Sequence, residues 1–263
     1  MITADIIKNH LSDKNSNINV YVYDCVSSTN DLAKEYAANN YTEAVFVARK
    51  QTAGRGRRGR SFFSPDSTGL YMSILLHPTC SVDSYTLLTP AAAVATAKAI
   101  EKVSDKKVDI KWINDIYLDG KKMCGILCES SFNRDSSASF VVVGIGINLC
   151  TPEGGFPEEI SNIATSLFGN KLPDENVESL LCSEIVNNVV EYFENIEGRS
   201  FMEEYKRKMF LLGKEITVIS SNETYPVIAT DISPDAHLIV TLRDNSTKVL
   251  NSGEISIRSY QTK

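Results

Sequence analysis

No C-x-x-C pair occurs among the six cysteines (Cys25, Cys80, Cys124, Cys128, Cys150 and Cys182), so neither a zinc ribbon nor a thioredoxin-type dithiol is expected. The cysteines are scattered, mostly in apolar runs, which is the pattern of buried, reduced thiols in a cytoplasmic protein. No apolar run approaches the length needed to cross a bilayer. The first ten residues lack the basic-then-apolar order of a secretory signal. No membrane partner is therefore expected. Internal repeats and low-complexity segments are missing as well. So is a basic excess: a formal net charge of -6 and a pI near 5.2 argue against a dedicated nucleic-acid binder. Too little chain precedes the first expected strand to hold a helix-turn-helix domain, so no DNA partner is expected either.

Against that acidic background one stretch stands out. Gln51-Thr52-Ala53-Gly54-Arg55-Gly56-Arg57-Arg58-Gly59-Arg60 gathers four arginines and three glycines. Glycine lets backbone N–H groups approach a ligand closely, and guanidinium forks bind carboxylate and phosphate bidentately. The run is interleaved with glycine rather than lysine, unlike a nuclear import signal or a solvated basic face. Phe62 and Phe63 follow at once and offer flat faces to a ring. A mobile loop that folds around an anion, with a nucleotide as the natural candidate, is the expectation.

Along the chain, a short helix and a polar connector fill residues 1–19, and Val20–Asp24 has strand composition. Ser28-Thr29-Asn30-Asp31 has the form of a capping box opening a helix with Leu32, Ala33, Tyr36 and Ala37 on its apolar face. Ala44–Arg49 and Gly69–His77 read as strands that flank the arginine loop. Ser84–Val103 reads as helix, with Pro90 marking a break between a short turn and the main helix. Val108–Trp112, Ile116–Leu118, Met123–Glu129 and Ser139–Leu149 follow as four strands with no room for crossover helices, hence largely antiparallel. Asp119-Gly120 has the composition of a tight hairpin turn. Helices over Asn176–Glu194 and Arg199–Leu211 come next. Short strands at Ile216–Ser220, Thr224–Asp231, Leu238–Leu242 and Lys248–Leu250 suggest a small barrel. The expected division is 1–212 and 213–263.

Two further stretches carry chemistry. Lys111-Trp112-Ile113-Asn114-Asp115 leads through the expected hairpin to Lys122, so hairpin pairing brings Asp115 and Lys122 toward one cleft. A fixed lysine neutralises charge developing on phosphate or carboxylate oxygens, and an aspartate orients or deprotonates an amine. On residue types alone, a solvated hairpin with ordinary surface charges accounts for the same stretch. Val143-Gly144-Ile145-Gly146-Ile147-Asn148 places glycines inside an apolar strand, where they cost stability unless something lies flat on them. A ligand or a closely packed helix would serve equally. The third glycine of a dinucleotide fingerprint is missing.

Taken in order, these motifs resemble the biotin–protein ligases. The G-R-G-R-R-G-R loop is Gly54–Arg60, the K-W-P-N-D segment is Lys111–Asp115 with Ile113 in place of proline, and the K-x-x-G element is Lys122 with Gly125. The G-x-G-x-N strand is Gly144–Asn148, the Ser-Thr-Asn helix start is Ser28–Asn30, and a Glu-Ile-Ser-Leu-Arg element is matched by Glu254–Arg258 with Ile257 for leucine. The resemblance implies an α+β fold: a mixed sheet with helices, like that of class II aminoacyl-tRNA synthetases, and a small C-terminal SH3-like β-barrel. It implies an ATP-dependent ligase that activates biotin as biotinyl-5′-AMP and transfers it to a lysine of a biotin carboxyl carrier domain. ATP and Mg2+ are the implied cofactors, biotin the substrate, and a biotin-dependent carboxylase the partner.

Residue by residue, the resemblance implies that Ser28, Thr29, Asn30 and Gln51 hold the polar groups of biotin. Gly54, Arg55, Gly56 and Arg57 close over the carboxylate and phosphates, and Gly125 and Gly144 admit the ligand. Lys122 contacts the reacting carboxylate and α-phosphate, with Arg57 beside it, and Asp115 positions or deprotonates the acceptor lysine. Arg58, Arg60, Phe62, Asn114, Gly146 and Asn148 lie on the nucleotide side; Phe62 stands where a tryptophan is often found. No metal ligand is assigned. A monofunctional, cytoplasmic, monomeric or homodimeric enzyme without a DNA-binding domain is implied. A lipoate–protein ligase is the alternative of the same chemistry. A non-enzymatic RNA-binding module is the alternative from another class, disfavoured by the acidic total and by the two further stretches.

Overall fold

Every residue of strand β3 (Gly69–Leu76) is buried, as a mainly apolar strand broken only by Ser73 allows when both faces of a sheet are covered. The computed structural model describes residues 2–77, 80–132, 138–219, 224–251 and 254–257. Around β3 stand β1 (Asn19–Val26), β2 (Ala44–Gln51), β4 (Asp109–Lys111), β5 (Asp115–Leu118), β6 (Lys121–Phe132) and β7 (Ala138–Asn148). Among the described residues these form one seven-stranded sheet in the order β1-β2-β3-β7-β6-β5-β4. Only β1 and β2 run parallel; the other neighbours are antiparallel, including the expected succession from β4 to β7. At the hairpin between β5 and β6, Asp119 (φ 50°) and Gly120 (φ 76°) both take the left-handed conformation that a two-residue I′ turn demands.

The sheet separates two apolar clusters. Leu70, Met72, Ile74 and Leu76 of β3 pack with helices α1 (Ala4–Asn9), α3 (Leu88–Ser104) and α5 (Val177–Glu194). Leu75, Phe46 and Val142 point the other way, onto Ala33 and Ala37 of helix α2 (Thr29–Ala37). Helix α3 is preceded by a 3₁₀ turn over Val82–Leu87, and the break falls at Leu87–Leu88 rather than at Pro90. Pro90 sits in the first turn of α3, where its missing N–H has no intrahelical partner to lose. A short α4 (Glu158–Ser161) precedes α5. Helix α6 covers only Met202–Arg207 of the expected Arg199–Leu211; Arg199 is left-handed (φ 53°) and so lies outside its start.

Beyond α6 lies a second, antiparallel sheet, of five strands among the described residues, order β11-β10-β9-β8-β12, from β8 (Glu215–Ile219), β9 (Thr224–Ile232), β10 (Leu238–Thr241), β11 (Thr247–Leu250) and β12 (Glu254–Ile257). Strand β12, which composition did not suggest, pairs with β8. Ser220 and Arg258, named in the expected strand and C-terminal motif, lie outside the described residues. No helix among the described residues is long and apolar enough to cross a membrane.

The two sheets meet at a defined junction. The buried indole N–H of Trp112 donates to Ala236 O at 2.9 Å. Arg199 bonds Pro234 O (3.0 Å) and pairs with Asp235 (2.9 Å), and Lys206 pairs with Asp231. From the other side, the buried Tyr205 hydroxyl donates to Ile113 O at 3.1 Å. Replacing Trp112 by phenylalanine keeps the ring but leaves the Ala236 carbonyl without its donor. The expected cost is about 1–3 kcal/mol, read as a lower urea midpoint at unchanged slope; an unchanged midpoint would show that the junction does not depend on this bond.

Candidate active site

Strand register lays out the floor of the site. Lys111, Asp115, Gly125, Gly146, Tyr71 and Ala48 stand opposite one another on successive strands from β4 to β2. Directly opposed residues share a sheet face, so this row lies on one side. The neighbouring row on that face is Phe46, Ser73, Gly144 and Leu127. Side chains are therefore missing at three adjoining points. A Cβ at Gly144 would fall 2.1 Å from Asn30 Oδ1, and one at Gly146 would fall 2.6 Å from the Phe62 ring. At Gly125 it would meet Phe62 at 3.2 Å and the Lys122 amine at 3.3 Å. The bare strand is thus covered by Phe62 from the loop and Asn30 from α2.

The arginine stretch is a hairpin. Phe62 N donates to Gly54 O (2.9 Å), Gly56 N to Arg60 O (2.7 Å) and Arg60 N to Arg57 O (3.2 Å), with Arg58 (φ 55°) and Gly59 (φ 74°) at its tip. Its arginines have different surroundings. Arg57 turns inward, half-buried, and donates to Asn114 Oδ1 at 2.9 Å, while the Asn114 amide donates to Ile126 O at 2.8 Å. Burial pulls the Arg57 guanidinium below its ordinary pKa, against the attraction of Asp115. Arg55, which also lines the cleft, spans two carboxylates, Asp31 at 2.6 Å and Glu129 at 3.0 Å. The Asp31 hydrogen bond raises Arg55. Burial works against ionisation of Asp31, but its bonds to Lys34 and Arg55 outweigh that and hold the carboxyl below the usual range. Arg58 and Arg60 are exposed and line the mouth of the cleft.

Lys122 and Asp115 form an ion pair at 2.8 Å. The pairing of β5 with β6 slips by one residue between Ile116 and Tyr117, so Tyr117 stands opposite Lys122 rather than Met123. A bulge of this kind re-aims a side chain, and here it accompanies the turn of Lys122 toward Gly125 and the floor. The Lys122 backbone is held by Ile163 O (2.8 Å) and Thr165 N (2.9 Å) from the segment after α4. Burial beside this pair pushes the Tyr117 phenol up to about 12.

At the other end a polar chain closes the cleft. Gln51 Oε1 accepts from Thr29 N (2.9 Å) and Thr29 Oγ1 (3.2 Å), and Gln51 Nε2 donates to Ser64 Oγ (3.1 Å). The Ser73 hydroxyl lies 2.8 Å from Thr29 Oγ1 and 2.6 Å from Asn30 Oδ1. The expected capping box is absent. Ser28 occupies the N-cap position but makes no side-chain cap bond, and it is buried in the cleft wall. Gln51 serves an N-terminal helix donor instead, and Asp31 is spent on Lys34 and Arg55.

These elements line an open cleft with a cavity volume of about 170 Å³. Its walls bring together Ser28, Thr29, Asn30, Gln51, Arg55, Gly56, Arg57, Arg58, Arg60, Phe62, Asn114, Asp115, Lys122, Gly125, Gly144 and Gly146. Two candidates stand apart. Gly54 sits behind the wall, packed on Phe62 O and Ser64, and Asn148 closes the end of β7 by donating to Thr165 O at 3.1 Å. The cleft lining also includes Met72, Ile126 and Ile145, whose side chains belong to the apolar cluster on the other face of the sheet, and Ile255 of β12; none of the four was assigned a role from the sequence. Ile255 belongs to the Glu254–Arg258 element that shared in the resemblance, although no role was assigned to it there, and it reaches the cleft from the second sheet. Among the described residues no three His, Cys, Asp or Glu side chains cluster in a way that would hold a metal ion. Gly144→Ala is expected to cost about 1–3 kcal/mol through overpacking against Asn30. Adding Asn30→Ala should return part of that loss in thermal unfolding; strictly additive losses would refute the contact.

Residues 22–148 match the biotin/lipoate A/B protein ligase family, and residues 211–258 match the biotin protein ligase C terminal domain. The bifunctional ligase/repressor BirA of Bacillus subtilis is 43% identical over 168 residues, 62% of this chain and 51% of that protein. The biotin--[acetyl-CoA-carboxylase] ligase of Mycobacterium tuberculosis is 26% identical over 232 residues, 85% of this chain and 82% of that protein. The chain thus spans about half the length of the Bacillus relative. The solved biotin protein ligase from Aquifex aeolicus in complex with biotin and ATP superposes with a TM-score of 0.73 at 28% identity, covering 91% of this chain and 98% of that one.

Proposed function

We propose, on the premise of the matches to the biotin/lipoate A/B protein ligase family and to the biotin protein ligase C terminal domain, that this chain joins biotin to a lysine of a biotin carboxyl carrier domain at the expense of ATP. A carboxylate is a poor acyl donor because its leaving group is oxide. In the first step the biotin carboxylate attacks the α-phosphate of ATP, giving biotinyl-5′-AMP and pyrophosphate. In the second the lysine ε-amine attacks the mixed anhydride, an amide forms, and AMP leaves.

The observation that carries this reading is the spacing of functions along one cleft. The polar chain of Ser28, Thr29, Asn30 and Gln51 lies at one end, Arg57 and Lys122 in the middle, and Phe62 over the bare glycines. Biotin's polar groups are assigned to the first set. Arg57 and Lys122 face the reacting carboxylate and α-phosphate, where fixed cations offset charge that develops in the transition state. Asp115, paired with Lys122, orients or deprotonates the incoming amine. Phe62, Asn114, Gly146, Arg58 and Arg60 are assigned to the nucleotide. Among the described residues Asp115 is the one carboxylate in the cleft wall, which suits Mg2+ carried in on the nucleotide phosphates rather than held in a protein cage. There it would neutralise phosphate charge.

The same reading takes the larger sheet and its helices as related to class II aminoacyl-tRNA synthetases. The five-stranded sheet becomes an SH3-like barrel, with the domain division at 212/213. Biotin-dependent ATP–pyrophosphate exchange, followed by a mass gain on a carrier domain, is the expected result. Exchange supported by lipoate and not by biotin would overturn the substrate. Lys122→Ala should reduce exchange about 100-fold or more at an unchanged unfolding midpoint; near-normal exchange would remove Lys122 from the chemistry.

A further inference from the structure

Glu129 lies outside the cleft lining, yet it is wired to three groups that reach the loop and the polar end of the site. Its Oε2 accepts from the Asn30 amide at 2.8 Å. Its Oε1 accepts from Arg55 at 3.0 Å and from Lys34 at 3.2 Å. Asp31 closes the ring, 2.6 Å from Arg55 and 3.1 Å from Lys34. The four charged groups, two carboxylates and two cations, form a neutral cluster spanning the loop, α2 and β6.

The cluster has two consequences. An ionised carboxylate only accepts hydrogen bonds, so Glu129 draws the NH2 side of Asn30 toward itself and toward Leu127 O. Asn30 Oδ1 is thereby left to face Ser73 and the bare Gly144. The cluster also occupies Arg55. A guanidinium already bridged by two carboxylates gives little of its charge to an anion in the cleft, whereas Arg57, hydrogen-bonded to neutral Asn114, keeps its charge for one.

We propose that Glu129 is a positioning residue, setting the Asn30 amide at the biotin end of the site and, with Asp31, holding Arg55 as a strut that fastens the arginine loop to the sheet and to α2. The anion is then served by Arg57 and Lys122. The assignment of Asn30 to biotin rests on the proposed function; the strut does not.

The test uses the full chain and two variants that divide the roles. Glu129→Gln keeps an oxygen for Asn30 but removes the charge that holds Arg55 and Lys34; Glu129→Ala removes both. In ligand-free protein, Glu129→Gln should speed amide hydrogen exchange across Gly54–Arg60 about tenfold with the urea midpoint unchanged. Arg55→Gln should do the same, and the double variant should go no further than either alone, as coupled partners behave. Glu129→Ala should additionally raise the KM for biotin about tenfold, with kcat and the KM for ATP moving less than about twofold. Unchanged loop exchange, or additive effects in the double variant, would overturn the strut. Equal rises in the KM for biotin and ATP would overturn the positioning of Asn30. If the native chain showed no biotin-dependent exchange reaction, the proposed function would fall, while the hydrogen-exchange arm would still decide the strut.

Discussion

The site depends on a patch of sheet without side chains. Gly125, Gly144 and Gly146 adjoin one another on β6 and β7, and their empty faces let Phe62 and Asn30 lie against the backbone. Everything that lines the cleft follows from that proximity. Asn30 brings the first turn of α2 onto the sheet beside Ser73, and Gln51 is then in reach of Thr29. Phe62 brings down the loop that precedes it, so that Arg57 meets Asn114. A single methyl at Gly144 or Gly146 would lift one of these two side chains. Glycine inside a strand costs stability, and here the cost is offset by the contacts that its absence of a side chain allows.

Electrostatics then sorts the arginines that the loop crowds together. Four like charges on a glycine-rich hairpin repel one another, and the surrounding chain divides them by environment. Arg55 is neutralised by Asp31 and Glu129, Arg57 is drawn inward beside Asn114 and Asp115, and Arg58 and Arg60 stay at the solvent edge. Exposed ion pairs taken singly contribute little. The arrangement around Arg55 gains from sharing, since Lys34 and Arg55 each contact both carboxylates. The acidic total of the chain is thus compatible with a basic cleft, because the charge that matters is local.

Much of this was legible in the residues wherever a local rule decides the outcome. Asp119-Gly120 demanded left-handed backbone at both positions and has it, and the close succession of strands after Val108 left no choice but antiparallel pairing. The arginine loop, Lys122 and the glycine strand were visible as chemistry without a place. What was not legible depends on groups brought together by the tertiary fold. Ser28 and Asp31 had the spacing of a capping box, but Gln51 reaches Thr29 and Arg55 captures Asp31, so the helix start is served from β2 and the acid by the loop. The register slip that accompanies the turn of Lys122 toward the floor leaves no mark in composition. Pro90 looked like a break and is a tolerated first-turn residue.

The second sheet enters the argument through the segment between Lys111 and Asp115. Trp112 is joined to Ile113 by a cis peptide bond, and the pair is held from both sides, by Ala236 O on the indole and by the Tyr205 hydroxyl on the Ile113 carbonyl. Asn114 and Asp115 follow directly, so their place over the floor is set by Ala236, in the turn between β9 and β10, and by Tyr205 of α6 as much as by their own strand. Ile255 of β12 supplies part of the cleft wall. The C-terminal strands are accordingly continuous with the site in two physical senses, a shared apolar cluster and a buried hydrogen bond, and the segment carrying Asn114 and Asp115 takes its position from both sheets together.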